Sequence, residues 1–281
     1  MKSAVVMQTD FTRDTADVCT MHGVCMMVDP TLRIFDNTHS IPQFDTYQAS
    51  LALKYVVDFW PQGTVFISVV DPTVGTDRRA CVVKLSNGSY VVTPDNGSLT
   101  HLKKYVGIEE VRIIDDKKNR LKSTSKVSIF HGRDLFAYCG AKLAAGIISY
   151  EEVGEAYPVE QIIVHDLIEP YEKDGKIIGM ISTADDHFGL ICSNIPCELF
   201  EEKGIKNGDI LEVEILNEDK IIYSGKVPLQ PSFGYVKIGD TVVVISETQH
   251  MEIAINRENM TRIYGVGCGS EWLISFKKWE E

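Results

Sequence analysis

The run Thr64-Val65-Phe66-Ile67-Ser68-Val69-Val70 is short, β-branched and almost uninterrupted by polar side chains. Such a run reads as a strand buried on both faces, which requires cover on both sides of the sheet that contains it. The flanking sequence supplies that cover. Ala4 to Met7 reads as a first strand. A helical pattern follows from Asp14 to Val28, with apolar positions at Val18, Met21, Val24, Cys25 and Val28, and Asp29-Pro30 stops it. Arg33 to Asp36 reads as a second strand and Phe44 to Trp60 as a long helix ended by Pro61-Gln62-Gly63. Strands alternating with helices predict an α/β fold with a largely parallel sheet.

Further strands are expected at Ala80 to Leu85, Tyr90 to Thr93 and Val111 to Ile114, the first two joined by the hairpin signal Ser86-Asn87-Gly88-Ser89. A helix is expected from His131 to about Gly146. The N-terminal α/β domain is thus read as 1–155. The stretch 156–175 carries acids, prolines and weak periodicity and is read as a linker, with Ile162-Ile163-Val164 as a short strand within it. From 176 to 281, short β-rich runs separated by turn residues predict a smaller barrel or sandwich domain.

Composition narrows the function classes. The chain has 281 residues, 44% hydrophobic and 24% charged, an ordinary globular balance. A net charge of −12 argues against a broad nucleic-acid surface or an anionic membrane as partner. No apolar run approaches the roughly 18 residues of a membrane helix, and the N-terminus lacks a signal-peptide core, so a cytoplasmic location is expected. The seven cysteines form no CxxC and read as reduced, mostly buried thiols. The histidines make neither HxH nor HxxxH, so no metal site is expected.

Asp71 follows the buried run, in the stretch Asp71-Pro72-Thr73-Val74-Gly75-Thr76-Asp77-Arg78-Arg79. An acid at the C-terminal edge of such a strand lies where open α/β sheets place ligands, and a nearby arginine keeps it ionised. The alternative is a plain turn with solvated arginines. Asp10 ends the first strand; its two acceptor oxygens suit a ribose diol, or it caps the next helix. Neither GxGxxG nor a P-loop occurs. His131 opens a helix, whose N-terminus favours a neutral imidazole; the alternative is a capping role. Asp185-Asp186-His187-Phe188-Gly189 pairs acids with an aromatic in one turn, suited to a polar ligand and a stacked base, or is a plain acidic turn.

Taken in order, six segments resemble the S-adenosylmethionine (SAM) hydroxide adenosyltransferase family, the hydrolase branch of the superfamily that includes the fluorinase and chlorinase enzymes. They are Thr9-Asp10-Phe11, Asp36-Asn37-Thr38-His39-Ser40-Ile41-Pro42, the Asp71 to Arg79 stretch, Pro94-Asp95-Asn96-Gly97, Phe130-His131-Gly132-Arg133-Asp134 and Asp186-His187-Phe188-Gly189. The resemblance implies an N-terminal α/β domain, a C-terminal β-barrel and a homotrimer with substrate between subunits. It implies cleavage of SAM to adenosine and methionine with no cofactor. Asp71, Arg78 and His131 match the family's water-holding set. Asp10 matches its ribose ligand and Phe44 a family aromatic that packs, with Phe188, around the nucleoside; Asp185, Asn194, Ser246 and Asn256 are read as further candidate substrate contacts, Ser246-Glu247 standing where the family commonly has Asn-Ser. The halogenating branch has Tyr where Asp71 stands and an insertion where this chain has its short Ser86 to Ser89 turn. Three positions depart from the family pattern: Thr15, Leu190 and Glu247. They keep open the alternative of a nucleoside- or SAM-binding protein without turnover; a second alternative, halide-dependent substitution at C5′, is disfavoured by Asp71 and Arg78.

Overall fold

The computed structural model describes residues 2–280. The chain divides into two compact units, Met1–His165 and Asp166–Glu281. No helix among the described residues is long and apolar enough to cross a membrane.

The first unit is built on one mixed sheet. Its strands are β1 (Val5–Thr9), β2 (Ile34–Thr38), β3 (Val65–Val69), β4 (Ala80–Leu85), β5 (Tyr90–Pro94), β6 (Ile108–Ile113) and β7 (Ala156–Tyr157), in the order β2-β1-β3-β5-β4-β6-β7. The pairs from β2 to β5 are parallel. From β5 through β4 and β6 to β7 they are antiparallel. The parallel character foreseen in the sequence therefore holds for half of the sheet. The Ser86 to Ser89 hairpin reverses the chain and commits the rest to antiparallel pairing.

Strands β1 and β3 are buried along their whole length. Their side chains alternate between two cores, as the two-residue period of a strand requires. Val5, Met7, Val65, Ile67 and Val69 point to a core shared with Met21, Cys25, Leu135 and Phe136. Val6 and Phe66 point to the other, with Leu53, Val57, Leu99 and Leu102. The helices on the first side are α1 (Asp17–Val28) and, further along the chain, a helix opening as a π-helix over Gly132–Ala137. Those on the second are α2 (Thr46–Val56) and α3 (Thr100–Tyr105). Fully burying a side chain such as Ile67 is worth about 1.5–3 kcal/mol.

Residues 156–165, foreseen as part of a linker, belong to this unit. β7 pairs with β6, and the Tyr157 hydroxyl donates to Asp95 Oδ2 at 2.9 Å. Ile162-Ile163-Val164 does not form a strand. The Ile163 amide donates instead to Asp95 Oδ1 at 2.8 Å, and Ile162 is buried in the second core.

The second unit is an antiparallel, nearly closed barrel. It comprises β8 (Tyr171–Lys173), β9 (Lys176–Ala184), β10 (Ile191–Pro196), β11 (Ile210–Asn217), β12 (Lys220–Pro228), β13 (Thr241–Ile245), β14 (His250–Ile255) and β15 (Gly269–Lys278). The order is β12-β11-β15-β9-β10-β14-β13, with β8 paired to β9. A bridge between Leu229 and Val243 draws the two ends together. Strand β11 alternates buried and half-buried residues, and its inward set Leu211, Val213 and Ile215 joins Ile253, Ile274 and Phe276 in the barrel core.

Candidate functional site

Parallel register sets the first part of the site. β1 and β3 pair up to Thr9 opposite Val69, so Asp10 and Asp71 leave the same sheet edge from neighbouring strands. The Asn96 amide donates to Val70 O at 2.9 Å and holds the end of β3 in place. The chain then folds back. Gly75 adopts φ +78°, and a Cβ there would stand 2.9 Å from Ser128 O, so glycine serves both the turn and the close approach.

This return brings Arg78 onto Asp71. Arg78 Nε donates to both carboxylate oxygens at 2.9 Å, and Nη2 donates to Oδ2 as well. The side chains are 8% and 4% exposed, so the pair is a buried, charge-assisted one rather than a solvated surface contact. The Arg78 guanidinium also lies 5.2 Å over the Phe136 ring. Nη2 reaches His131 Nδ1 at 3.1 Å.

His131 stands just before the π-helix, a wide turn that concentrates at functional sites. A Cβ on Gly132 would lie 3.0 Å from the Phe11 ring and 3.4 Å from Val69, so glycine lets this helix close on the ends of β1 and β3. Burial pushes the imidazolium of His131 below its ordinary range, with the positive charge of Arg78 adding to the effect. The neutral ring foreseen in the sequence is therefore obtained by burial and a neighbouring cation. A neutral ring that accepts from Arg78 at Nδ1 carries its proton on Nε2, which leaves one N–H to donate.

Asp10 Oδ2 accepts from the Phe44 amide at 2.9 Å. Burial raises the Asp10 pKa most, the Phe44 hydrogen bond opposes that, and the charge of Asp71 raises it further. Phe44 is 58% exposed and sits at φ +67°, a left-handed conformation rare for an aromatic residue and held here by the Asp10 clamp. Arg79 turns away from this set, to Asp95 Oδ2 at 2.8 Å and over the Tyr157 ring at 4.4 Å.

In the barrel unit, Asp185 Oδ1 accepts from the amides of His187 at 2.7 Å and Phe188 at 3.3 Å, closing the turn. Phe188 presents a ring that is 68% exposed. Gly189 needs its φ of +77°, and its backbone passes so near Asn259 that a Cβ would collide. Ser246 Oγ contacts Thr248 Oγ1 at 2.9 Å and accepts from the His250 amide at 3.3 Å. Asn194 accepts from the Met180 amide at 2.9 Å and donates to Ile168 O at 2.7 Å, so both ends of its amide are engaged inside the unit. Asn256 donates to Val236 O at 2.8 Å.

Residues 5–154 match the SAM hydroxide adenosyltransferase N-terminal domain, and residues 179–273 match the C-terminal domain. The chain belongs to the SAM hydroxide adenosyltransferase family. An (R)-S-adenosyl-L-methionine hydrolase of Salinispora tropica is 30% identical over 275 residues, covering 95% of each chain. The enzyme of the same description from Methanocaldococcus jannaschii is 25% identical, covering 93% of this chain and 92% of its own. A fluorinase of Actinoplanes is also 25% identical, covering 94% and 95%. A solved structure of a conserved Thermotoga maritima protein superposes with a TM-score of 0.85 at 30% identity, over 98% of this chain and all of that one.

Within this SAM hydroxide adenosyltransferase family member, the three departing positions have local accounts. Thr15 Oγ1 donates to Asp17 Oδ2 at 2.8 Å beside the start of α1. Leu190 O accepts from the Asp185 amide at 2.8 Å through backbone alone. Glu247 lies near a residue that sequence reasoning passed over, Glu252 on β14. Glu252 is 6% exposed, and its carboxyl is pushed up to about 7, by burial first and then by the charges of Glu247 and Asp185. The signal was present as a lone acid inside the apolar run Met251-Glu252-Ile253-Ala254-Ile255.

Proposed function

We propose that this chain hydrolyses S-adenosyl-L-methionine, or a close sulfonium analogue, by attack of water at ribose C5′, releasing adenosine and L-methionine. The observation that carries this reading is the partly buried Asp71–Arg78–His131 set, in which one guanidinium binds both a carboxylate and an imidazole. Membership of a family whose curated relatives include (R)-S-adenosyl-L-methionine hydrolases supports it.

The chemistry asks little of a general acid. As the water oxygen bonds to C5′, the C5′–S bond breaks and its electron pair returns to sulfur, which leaves as a neutral thioether. The water must be oriented and partly desolvated. Asp71 retains lone pairs beyond those engaged by Arg78, and one accepts a hydrogen bond from the water. That carboxylate takes the proton as the C–O bond forms and passes it to solvent. His131 Nε2–H donates to the water oxygen and fixes its remaining direction. Such assistance is worth on the order of 10²–10⁴ in rate. Asp10 Oδ1 and Oδ2 accept from the ribose hydroxyls. Phe44 and Phe188 pack around the nucleoside, and Asp185, Asn194, Ser246 and Asn256 complete the substrate contacts. The working assembly is a homotrimer with the site shared between subunits.

The test uses both sulfonium epimers of SAM in ¹⁸O-water, with products read by mass spectrometry. Adenosine carrying ¹⁸O at O5′ supports the proposal. A 5′-halogenated nucleoside formed with added halide supports substitution instead. Tight binding of both epimers with neither product would leave a binding protein.

A further inference from the structure

Three side chains that the proposed hydrolysis does not use meet in the first unit. His22 comes from α1, Asp36 from β2 and His39 from the loop after it. Asp36 Oδ1 is 2.8 Å from His22 Nε2 and 3.0 Å from His39 Nε2. The ligand-type atoms of all three lie within 4.8 Å of one another.

His39 is the decisive member. Its side chain is 1% exposed, and its Nδ1 is 2.9 Å from Thr9 Oγ1. Its Nε2 is buried and makes no aligned hydrogen bond, despite its nearness to Asp36. A buried polar atom in that condition calls for an explanation. An ion between the imidazoles and the carboxylate supplies one. Ligand atoms about 2.0–2.1 Å from a tetrahedral zinc stand about 3.3 Å apart, so the two contacts of Asp36 Oδ1, at 2.8 and 3.0 Å, need open by only a few tenths of an ångström.

The surroundings fit as well. A metal-bound histidine usually engages a partner through its other ring nitrogen, as His39 does with Thr9. Arg13 Nη2 holds Asp36 Oδ2 at 2.5 Å and leaves Oδ1 facing both rings. The Arg13 charge opposes a cation, but its side chain is two-thirds exposed and free to be screened.

We propose that His22, Asp36 and His39 form a binding site for a divalent first-row transition ion, with zinc as the reference metal. Two imidazoles and one carboxylate are a ligand set of that class. The ion would tie α1 and β2 to the end of β1 through Thr9, directly before Asp10. Its role is structural, because the proposed hydrolysis uses none of the three side chains.

The experiment strips the full-length protein with a chelator, adds Zn²⁺ or Co²⁺, removes excess metal, and measures content by mass spectrometry with thermal melting alongside. Expected are one ion per chain, a melting rise of about 5 °C at saturating metal, and cobalt ligand-field bands without a thiolate charge-transfer band. His22→Gln and Asp36→Asn each lower affinity at least 10-fold while circular dichroism stays unchanged, and Arg13→Ala raises it. Binding of less than one ion per chain overturns the proposal. So does affinity unchanged in His22→Gln, or a cobalt spectrum showing cysteine ligation.

Discussion

Arg78 Nε sits 2.9 Å from both oxygens of Asp71, so the guanidinium straddles the carboxylate rather than meeting one of its atoms. The same guanidinium then reaches His131 through Nη2. Arg78 is the hinge of the set: it clamps Asp71, and its charge adds to the burial that lowers the His131 pKa.

The Asp71→Asn variant keeps the shape of the side chain and removes its charge and one acceptor oxygen. It is expected to lower turnover of SAM by about 10²–10⁴, with the far-ultraviolet circular dichroism unchanged. Adenosine release followed by chromatography measures this; a near-wild-type rate refutes the role given to Asp71.

Arg78→Lys retains the charge but loses the planar fork. A lysine ammonium cannot span both Asp71 oxygens and His131 together. Turnover should fall at least about 10²-fold, while KM changes little because the fork does not bind substrate directly. A variant whose loss lies wholly in KM contradicts that arrangement.

His131 works as a neutral ring, and burial together with Arg78 holds its pKa below the ordinary 6.5. Protonation therefore sets in only below that value. The rate should stay level from neutral pH down to 6.5 and fall at more acid pH. In His131→Asn, which keeps a donor but does not titrate, the remaining activity should lose this inflection. A pH–rate profile with the same acid limb in the variant assigns the limb elsewhere, with Asp10 as the next candidate because its pKa is raised.

Gly132→Ala tests the close approach of the π-helix. The added methyl would meet the Phe11 ring at 3.0 Å. Overpacking of this kind costs about 1–3 kcal/mol, visible as a lower denaturation midpoint. Turnover should fall more than stability alone explains, since the displaced helix carries His131. Full activity in a destabilised variant would separate the packing from the chemistry.

Glu252 gives the barrel a signed pH dependence. Its carboxyl titrates at about 7 in the folded unit against 4.5 for the free side chain. Between those values the folded state binds more protons than the unfolded state, so stability declines as pH rises through the window and stays lowered above it. The lost stability is on the order of 3 kcal/mol. Glu252→Gln should raise the melting temperature at pH 8 and flatten the slope between pH 5 and 7. Parallel curves for the two proteins would show that Glu252 is solvated.

The order of strands and helices was legible because burial is a local, periodic property. An apolar run such as Val65 to Val69 has no other low-energy place than a sheet interior, and it is buried at every position. The motif series, read in order, pointed to the family that both domain matches support. Local patterns were less informative where a tertiary partner decided the outcome. Ile162 to Val164 looks like a strand but is held by Asp95, far away in sequence.

By itself the sequence determined the fold class, the edge on which Asp10 and Asp71 emerge, and the residue types available there. Tertiary structure alone decided which of them meet. Arg78 and His131 are 53 residues apart, and their contact depends on the glycine turn at 75 and the close helix approach at 132. His22, Asp36 and His39 show no ligand spacing along the chain, and α1 and β2 bring them within reach of one ion. Periodicity reports whether a residue faces core or solvent. Convergence is set by strand register and by how the connections fold back, which no single stretch of the chain contains.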